Sequence, residues 1–125
     1  MRRIKTTEVS SVRLQLLQEQ GGLCALCRTK CTEAQAVLDH DHSTGSVRGV
    51  LHRGCNSLLG KLENNAARYG VRDIGVFSNG VAQYLRAHLT NITGLLHPTH
   101  KTPEEKRLRT NMRARAARAK KKETA

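Results

Sequence analysis

The sequence predicts a small α+β fold: a zinc-stapled β-hairpin running into a helix, with flanking helices and a basic C-terminal helix or tail. Three observations carry this prediction. Two ligand pairs at matched spacing, Cys24-x-x-Cys27 and His52-x-x-Cys55, bracket a stretch that reads as two strands and a turn. A helical period opens at the second pair, with Cys55, Leu58, Leu59, Leu62, Ala66 and Tyr69 on one face. The core-forming material is thin, with one Phe, two Tyr and no Trp in 125 residues, so the fold needs a staple such as a metal or a partner chain.

The elements follow in order. Val9, Val12, Leu16 and Leu17 lie at helical spacing, so a first helix is expected over Thr7–Gln20, stopped by Gly21-Gly22. Leu23–Lys30 is a tight turn carrying the first cysteine pair. Ala36–His40 is a short strand, His42–Ser46 a turn in which Gly45 can take positive φ, and Val47–His52 the returning strand. The amphipathic helix then runs to Gly70. Val71–Phe77 reads as an apolar connector. A further helix is expected over Gly80–Leu89, with Val81, Tyr84, Leu85 and Leu89 on one face; this stripe is core by default and a dimer interface otherwise. Beyond His97-Pro98 the composition changes. Lys101–Ala125 holds ten basic residues and three Glu. Thr102-Pro103-Glu104-Glu105 is a helix start, with a capping Thr, Pro at the first position and acids in the first turn. This places a boundary between residues 1–97 and a basic extension, 98–125, that is either a helix formed against nucleic acid or a solvated tail.

The net charge is +12, from 22 Lys and Arg against 10 Asp and Glu, which points to a polyanionic partner. Nucleic acid leads, and an acidic membrane surface is the competitor. No apolar run approaches the ~20 residues of a membrane span. Met-Arg-Arg-Ile-Lys has no apolar stretch behind it and does not read as a secretory signal. A cytoplasmic protein is expected, in which the four cysteines serve as thiolates on a metal rather than as disulfides.

Cys24, Cys27, His52 and Cys55 form two pairs with 24 residues between them. Two such pairs across a hairpin make a closed tetrahedral N/S site, which is structural and contributes folding energy directly. Cys31, four residues beyond Cys27, is the alternative to His52 as fourth ligand and is read as a spare thiol.

Asp39-His40-Asp41-His42 packs four metal-binding or proton-transfer groups into four consecutive positions. In a regular strand Asp39 and His40 point to opposite faces, so a site that uses both needs the strand to bend or end there. Asn56 follows the zinc ligand Cys55, and the staple would draw it toward Asp39. Phosphodiester hydrolysis needs a base for water and a cation for the developing charge. A histidine suits the first task, and a hard cation such as Mg2+ or Mn2+ on the oxygens of Asp39 and Asn56 suits the second.

The ordered set Cys24-x-x-Cys27, Leu38-Asp39-His40-Asp41-His42, Val47-Arg48-Gly49-Val50-Leu51 and Cys55-Asn56 resembles phage recombination endonuclease VII, of the wider HNH, or ββα-metal, nucleases. The resemblance covers about Gln20 to Gly60. It implies that Asp39 ligates a catalytic cation, that His40 is the general base, that Asn56 is a second ligand or fixes the loop, and that Cys24, Cys27 and Cys55 hold zinc. The family commonly has Cys where this chain has His52. It also carries an acid soon after the Asn, where this chain reads Ser57-Leu58-Leu59 and Glu63 lies a turn further on. Asp41 and His42 are auxiliary: they orient His40, bind phosphate or close the hairpin. Arg48, Arg53 and Lys61, with Arg107, Arg109, Arg113, Arg115 and Arg118 of the extension, are the expected nucleic-acid contacts. The leading expectation is a DNA endonuclease selective for branched DNA of the Holliday-junction type, as a homodimer, in a host cytoplasm if phage-encoded. The alternatives are an HNH nicking or homing-type enzyme on duplex DNA and a non-catalytic zinc module.

Overall fold

The computed structural model describes all 125 residues, as two compact units, Met1–Val81 and Ala82–Ala125. In the first, a single 3-10 turn (Thr6–Glu8) leads into α1 (Val9–Glu19). The turn is braced by Glu8, whose carboxylate accepts from the Lys5 backbone N–H at 2.6 Å and from Arg2 at 3.0 Å. Gly21 and Gly22 end the helix at φ 70 and 74, with the Gly22 N–H reaching back to the Leu17 carbonyl. Both glycines sit in the left-handed region that a helix stop requires.

Strands β1 (Ala36–His40) and β2 (Val47–His52) pair antiparallel, with the ends the residue pattern predicts. The ladder runs Ala36 to His52, Val37 to Leu51, Leu38 to Val50 and Asp39 to Gly49, then slips so that His40 faces Val47. Arg48 is the unpaired extra residue of this bulge. Asp41 closes the turn. Its Oδ1 accepts from the Ser43 N–H and hydroxyl at 2.7 and 2.6 Å and from the Thr44 N–H at 3.1 Å.

Both α1 and α2 (Arg53–Asn65) contact both strands. Consecutive residues Val50 and Leu51 are therefore both buried although they face opposite sides. The core is Leu17, Cys24, Cys31, Ala36, Val50 and Leu51, with Leu16, Leu38, Cys55 and Leu59 partly buried against it. It holds no aromatic side chain, in keeping with the composition. The outer edge of β2 is closed by Gln20: its amide takes the Val50 N–H at 2.8 Å and donates to the Val50 carbonyl at 2.9 Å. A side-chain amide thus stands in for a third strand at this point. Helix α2 runs into a 3-10 turn (Ala67–Tyr69), and Gly70 ends it at φ 80 while the Val71 N–H returns to the Ala66 carbonyl.

Helix α3 spans Ile74–Ala87, six residues earlier than the expected start at Gly80. The Asp73 carboxylate caps it, accepting from the Val76 N–H at 2.9 Å. The flanking Gly75 and the short apolar run disguised this start as a connector. The α3 stripe is not core within this chain: no α3 residue is buried, and Tyr84 and Leu85 are 66% and 60% exposed. No residue of the helix is buried, so the default of a core stripe fails.

In the second unit, α4 (Pro103–Glu123) is a helix of 21 residues with no buried residue. Thr102 and Glu105 form a reciprocal capping box: Thr102 Oγ1 accepts from the Glu105 N–H at 3.2 Å, and Glu105 accepts from the Thr102 N–H at 2.8 Å. The composition boundary at residues 97/98 falls inside this unit. No helix is long and apolar enough to cross a membrane.

Candidate metal centre and nuclease site

The Cys24–Cys27 segment folds as a knuckle. The Cys24 N–H bonds the Thr29 carbonyl, the Arg28 N–H bonds the Cys24 carbonyl, and Arg28 takes the left-handed φ of 64 that the reversal needs. The knuckle sits against the end of β2, where the His52 N–H points at Cys24 Sγ at 3.4 Å. Cys55 lies within the first turn of α2. As a result one ligand atom from each of Cys24, Cys27, His52 and Cys55 lies within 4.8 Å of the others. Cys31 is buried nearby but does not belong to the group.

The chemistry of this donor set fits zinc. His52 Nε2 lies 2.8 Å from the Lys30 carbonyl, which can only accept, so Nε2 carries the proton. Nδ1 is left facing the sulfurs, 3.3 Å from Cys27 Sγ. A backbone carbonyl that fixes the tautomer in this way is the usual support of a metal-binding imidazole. Burial opposes ionisation of Cys24, but the N–H groups of Cys27, His52 and Leu26 draw its thiol down to about 6. The Thr29 hydroxyl, 3.1 Å away, holds Cys27 below its ordinary value. Burial and the two neighbouring thiols push Cys55 up to about 11. Two thiols are thus drawn below their ordinary value, and the third is held up by burial and by its sulfur neighbours, a conflict that a dication resolves. The cluster could hold one zinc with no open position.

At the other end of the hairpin, the bulge falls between Asp39 and His40. The extra residue belongs to β2, so β1 runs unbroken through Asp39 and His40, and the bend expected between them is not seen there; the register slips on the facing strand instead. Asp39 is the one buried charged residue, at 7% exposure, whereas His40 is exposed at the end of β1. The His40 and His42 rings sit 4.8 Å apart, so these two side chains share a face. The Ser43 hydroxyl, its N–H and the Thr44 N–H hold the Asp41 carboxyl down at about 2, which commits Oδ1 to the turn.

Arg48 lies across Asp39. Its Nε and Nη2 donate to Asp39 Oδ2 and Oδ1 at 2.7 and 3.1 Å. Its Nη1 and Nη2 donate to Glu63 Oε2 and Oε1, both at 3.0 Å. Both carboxylates raise the guanidinium's proton affinity further, Glu63 the more. The guanidinium expected to meet phosphate is thus engaged within the protein. Glu63, left without a role in the sequence, is brought to the Asp39 end of the hairpin by α2. A helical spacing of seven residues puts it on the same face as Asn56. Asn56 itself is partly buried in the first turns of α2, directly after Cys55. Arg53 and Lys61 are exposed on α2, and Arg107, Arg109, Arg113, Arg115 and Arg118 are exposed along α4.

Residues 1–87 match the recombination endonuclease VII family, a match that ends with the last residue of α3. The chain belongs to that family. It is also similar to the "Gene 59 protein" of Mycobacterium phage L5, with 44% identity over 43 residues, 34% of this chain and 26% of that protein. The chain thus spans about a quarter of the length of this curated relative. In this endonuclease VII family member, the ordered motifs that suggested the resemblance sit on one hairpin and the two elements that clasp it. Glu63 was legible only as an acid two turns from Asn56; its partner lies across the sheet and carries no local signal.

Proposed function

We propose that this chain is a metal-dependent DNA endonuclease that hydrolyses phosphodiester bonds, selective for branched DNA of the Holliday-junction type. The observation that carries the reading is the pairing of buried Asp39 with exposed His40 at the end of β1, opposite the β2 bulge, on a hairpin whose other end bears the Cys3His cluster. Family membership supports it.

In this reading His40 accepts a proton from the attacking water. Its exposure leaves the imidazole open to solvent and substrate, and a histidine ring nitrogen is a common general base. Asp39 and Asn56 would hold a Mg2+ or Mn2+ ion through oxygen, which fits a hard cation better than zinc. That ion, when bound, stabilises the charge developing on the phosphate and the leaving oxygen. Asp41 keeps the turn that carries His42, and His42 sits beside His40 as an auxiliary. Arg53 and Lys61 meet backbone phosphates, and the basic face of α4, ~30 Å long, follows a DNA arm. The exposed apolar stripe of α3 is the surface for a homodimer, which gives one junction two sites. A phage-encoded protein of this kind would work in the host cytoplasm.

The test uses end-labelled four-way junction and matched linear duplex, with Mg2+ and with EDTA, beside His40→Ala. Mg2+-dependent cleavage of the junction, lost in the variant, is the expected result. Equal cutting of both substrates would keep the chemistry but move the assignment to a duplex-nicking enzyme. Tight binding without cleavage of either would leave a zinc module that only binds.

A further inference from the structure

We propose that Arg48 and Glu63 form a charge-balanced clamp that orients the Asp39 carboxylate toward its cation, and that both are positioning residues for the reaction. This inference rests on the reading of Asp39 as a cation ligand. The bulge removes Arg48 from the strand ladder, which lets its side chain lie across Asp39. The guanidinium then grips both Asp39 oxygens side-on, at 2.7 and 3.1 Å, and so sets the plane of the carboxylate. An ionised carboxylate has about four lone-pair sites, so two stay open toward the opposite side after a bidentate grip. A fixed orientation for a buried ligand is what groups behind a metal site ordinarily supply.

A guanidinium alone would be a poor support, because its charge cancels that of Asp39 and repels an incoming cation. Glu63 removes this objection. It takes the remaining donors of Arg48 at 3.0 Å, and the trio carries one net negative charge. Glu63 also anchors Arg48 from α2, the helix that carries Asn56, so the clamp ties the two ligand-bearing elements together. Glu63 lies a turn beyond the position of the acid that the family resemblance implies. It acts through Arg48 rather than on the cation.

The test is Mn2+ binding to the zinc-loaded full chain without DNA, read from the electron paramagnetic resonance of free Mn2+. The zinc content of each variant is checked to be one. Glu63→Gln is expected to weaken Mn2+ binding by about 10-fold, although Glu63 does not touch the ion. Arg48→Lys, which keeps the charge but loses the fork, should weaken it comparably. Glu63 is partly exposed, so its variant carries the test even where Arg48→Lys does not fold. Unchanged Mn2+ affinity with only a lower melting temperature would make the trio a structural tie and overturn the clamp. Tighter binding in Arg48→Gln would also overturn it, since the guanidinium would then be a competitor of the cation. Asp39→Asn separates this proposal from the one beneath it. If Asp39→Asn loses Mn2+ and the other variants do not, the clamp alone falls. If Asp39→Asn binds Mn2+ like the parent, the cation assignment falls and takes the clamp with it.

Discussion

The two ends of the hairpin hold opposite chemistries. At the Ala36–His52 end, sulfur and imidazole converge on a closed set of four, with Cys24, Cys27 and His52 supported by backbone N–H or C=O groups. At the Asp39–Gly49 end, three ladder positions and ~10 Å away, the groups are the oxygens of buried Asp39, gripped by a guanidinium, which the proposed function assigns to a hard cation. Soft donors with all positions filled hold structure, and hard donors with positions to spare leave room for substrate. One short hairpin can carry both because the staple at one end stiffens the strands that aim the other.

On this division, damage to the first end costs the fold and damage to the second costs chiefly chemistry. Chelation of the zinc, or Cys24→Ala, should abolish the cooperative thermal transition, since structural zinc in small modules is worth on the order of 10 kcal/mol. Calorimetry with and without chelator checks this. Within the same end, Cys31→Ser should keep one zinc per chain by metal analysis, whereas His52→Ala should lose it. Zinc should also be released as pH falls, because protons compete for the three sulfurs and His52 Nδ1. A metal-sensitive dye followed across an acid titration reads that release.

At the open end, His40→Ala should lower the cleavage rate by roughly 10²- to 10⁴-fold while leaving zinc content and melting temperature unchanged. A comparable loss of thermal stability would show that the two ends are not separable. Gln20→Ala lies between these effects. It strips the side-chain partner from both backbone groups of Val50; the Ala25 N–H still reaches the Val50 carbonyl, so it is the Val50 N–H that is left unpaired. A loss of about 1–3 kcal/mol in denaturant unfolding is expected.

The smallest effect belongs to Glu63. Its pair with Arg48 holds its carboxyl below the usual value, so the pair stabilises the fold above the unfolded pKa of ~4.3 and the contribution is lost as pH falls through the folded pKa. Glu63 is a third exposed, so solvent screening keeps the term below about 1 kcal/mol. Glu63→Gln should accordingly melt with a shallower dependence on pH below 5, by scanning calorimetry.

The residues alone determined much of this. Matched ligand spacing, glycines at the helix stops and strict strand ends are local patterns. Cys24, Cys27, His52 and Cys55, both strands and the capped α4 were therefore legible in them. They left Cys31 as the alternative to His52, and it is the fold that leaves Cys31 outside the group. The start of α3 was missed because an Asp cap followed by Ile-Gly is a weak signal. The α3 stripe was misassigned because periodicity identifies an apolar face without saying what covers it. Only the tertiary structure decided which groups meet across the hairpin. Gln20 reaches Val50 thirty positions away, and Arg48 joins Asp39 to Glu63 through a one-residue slip in register. A slip of that kind redirects the side chains beyond it, and the groups it brings together come from elements far apart in sequence.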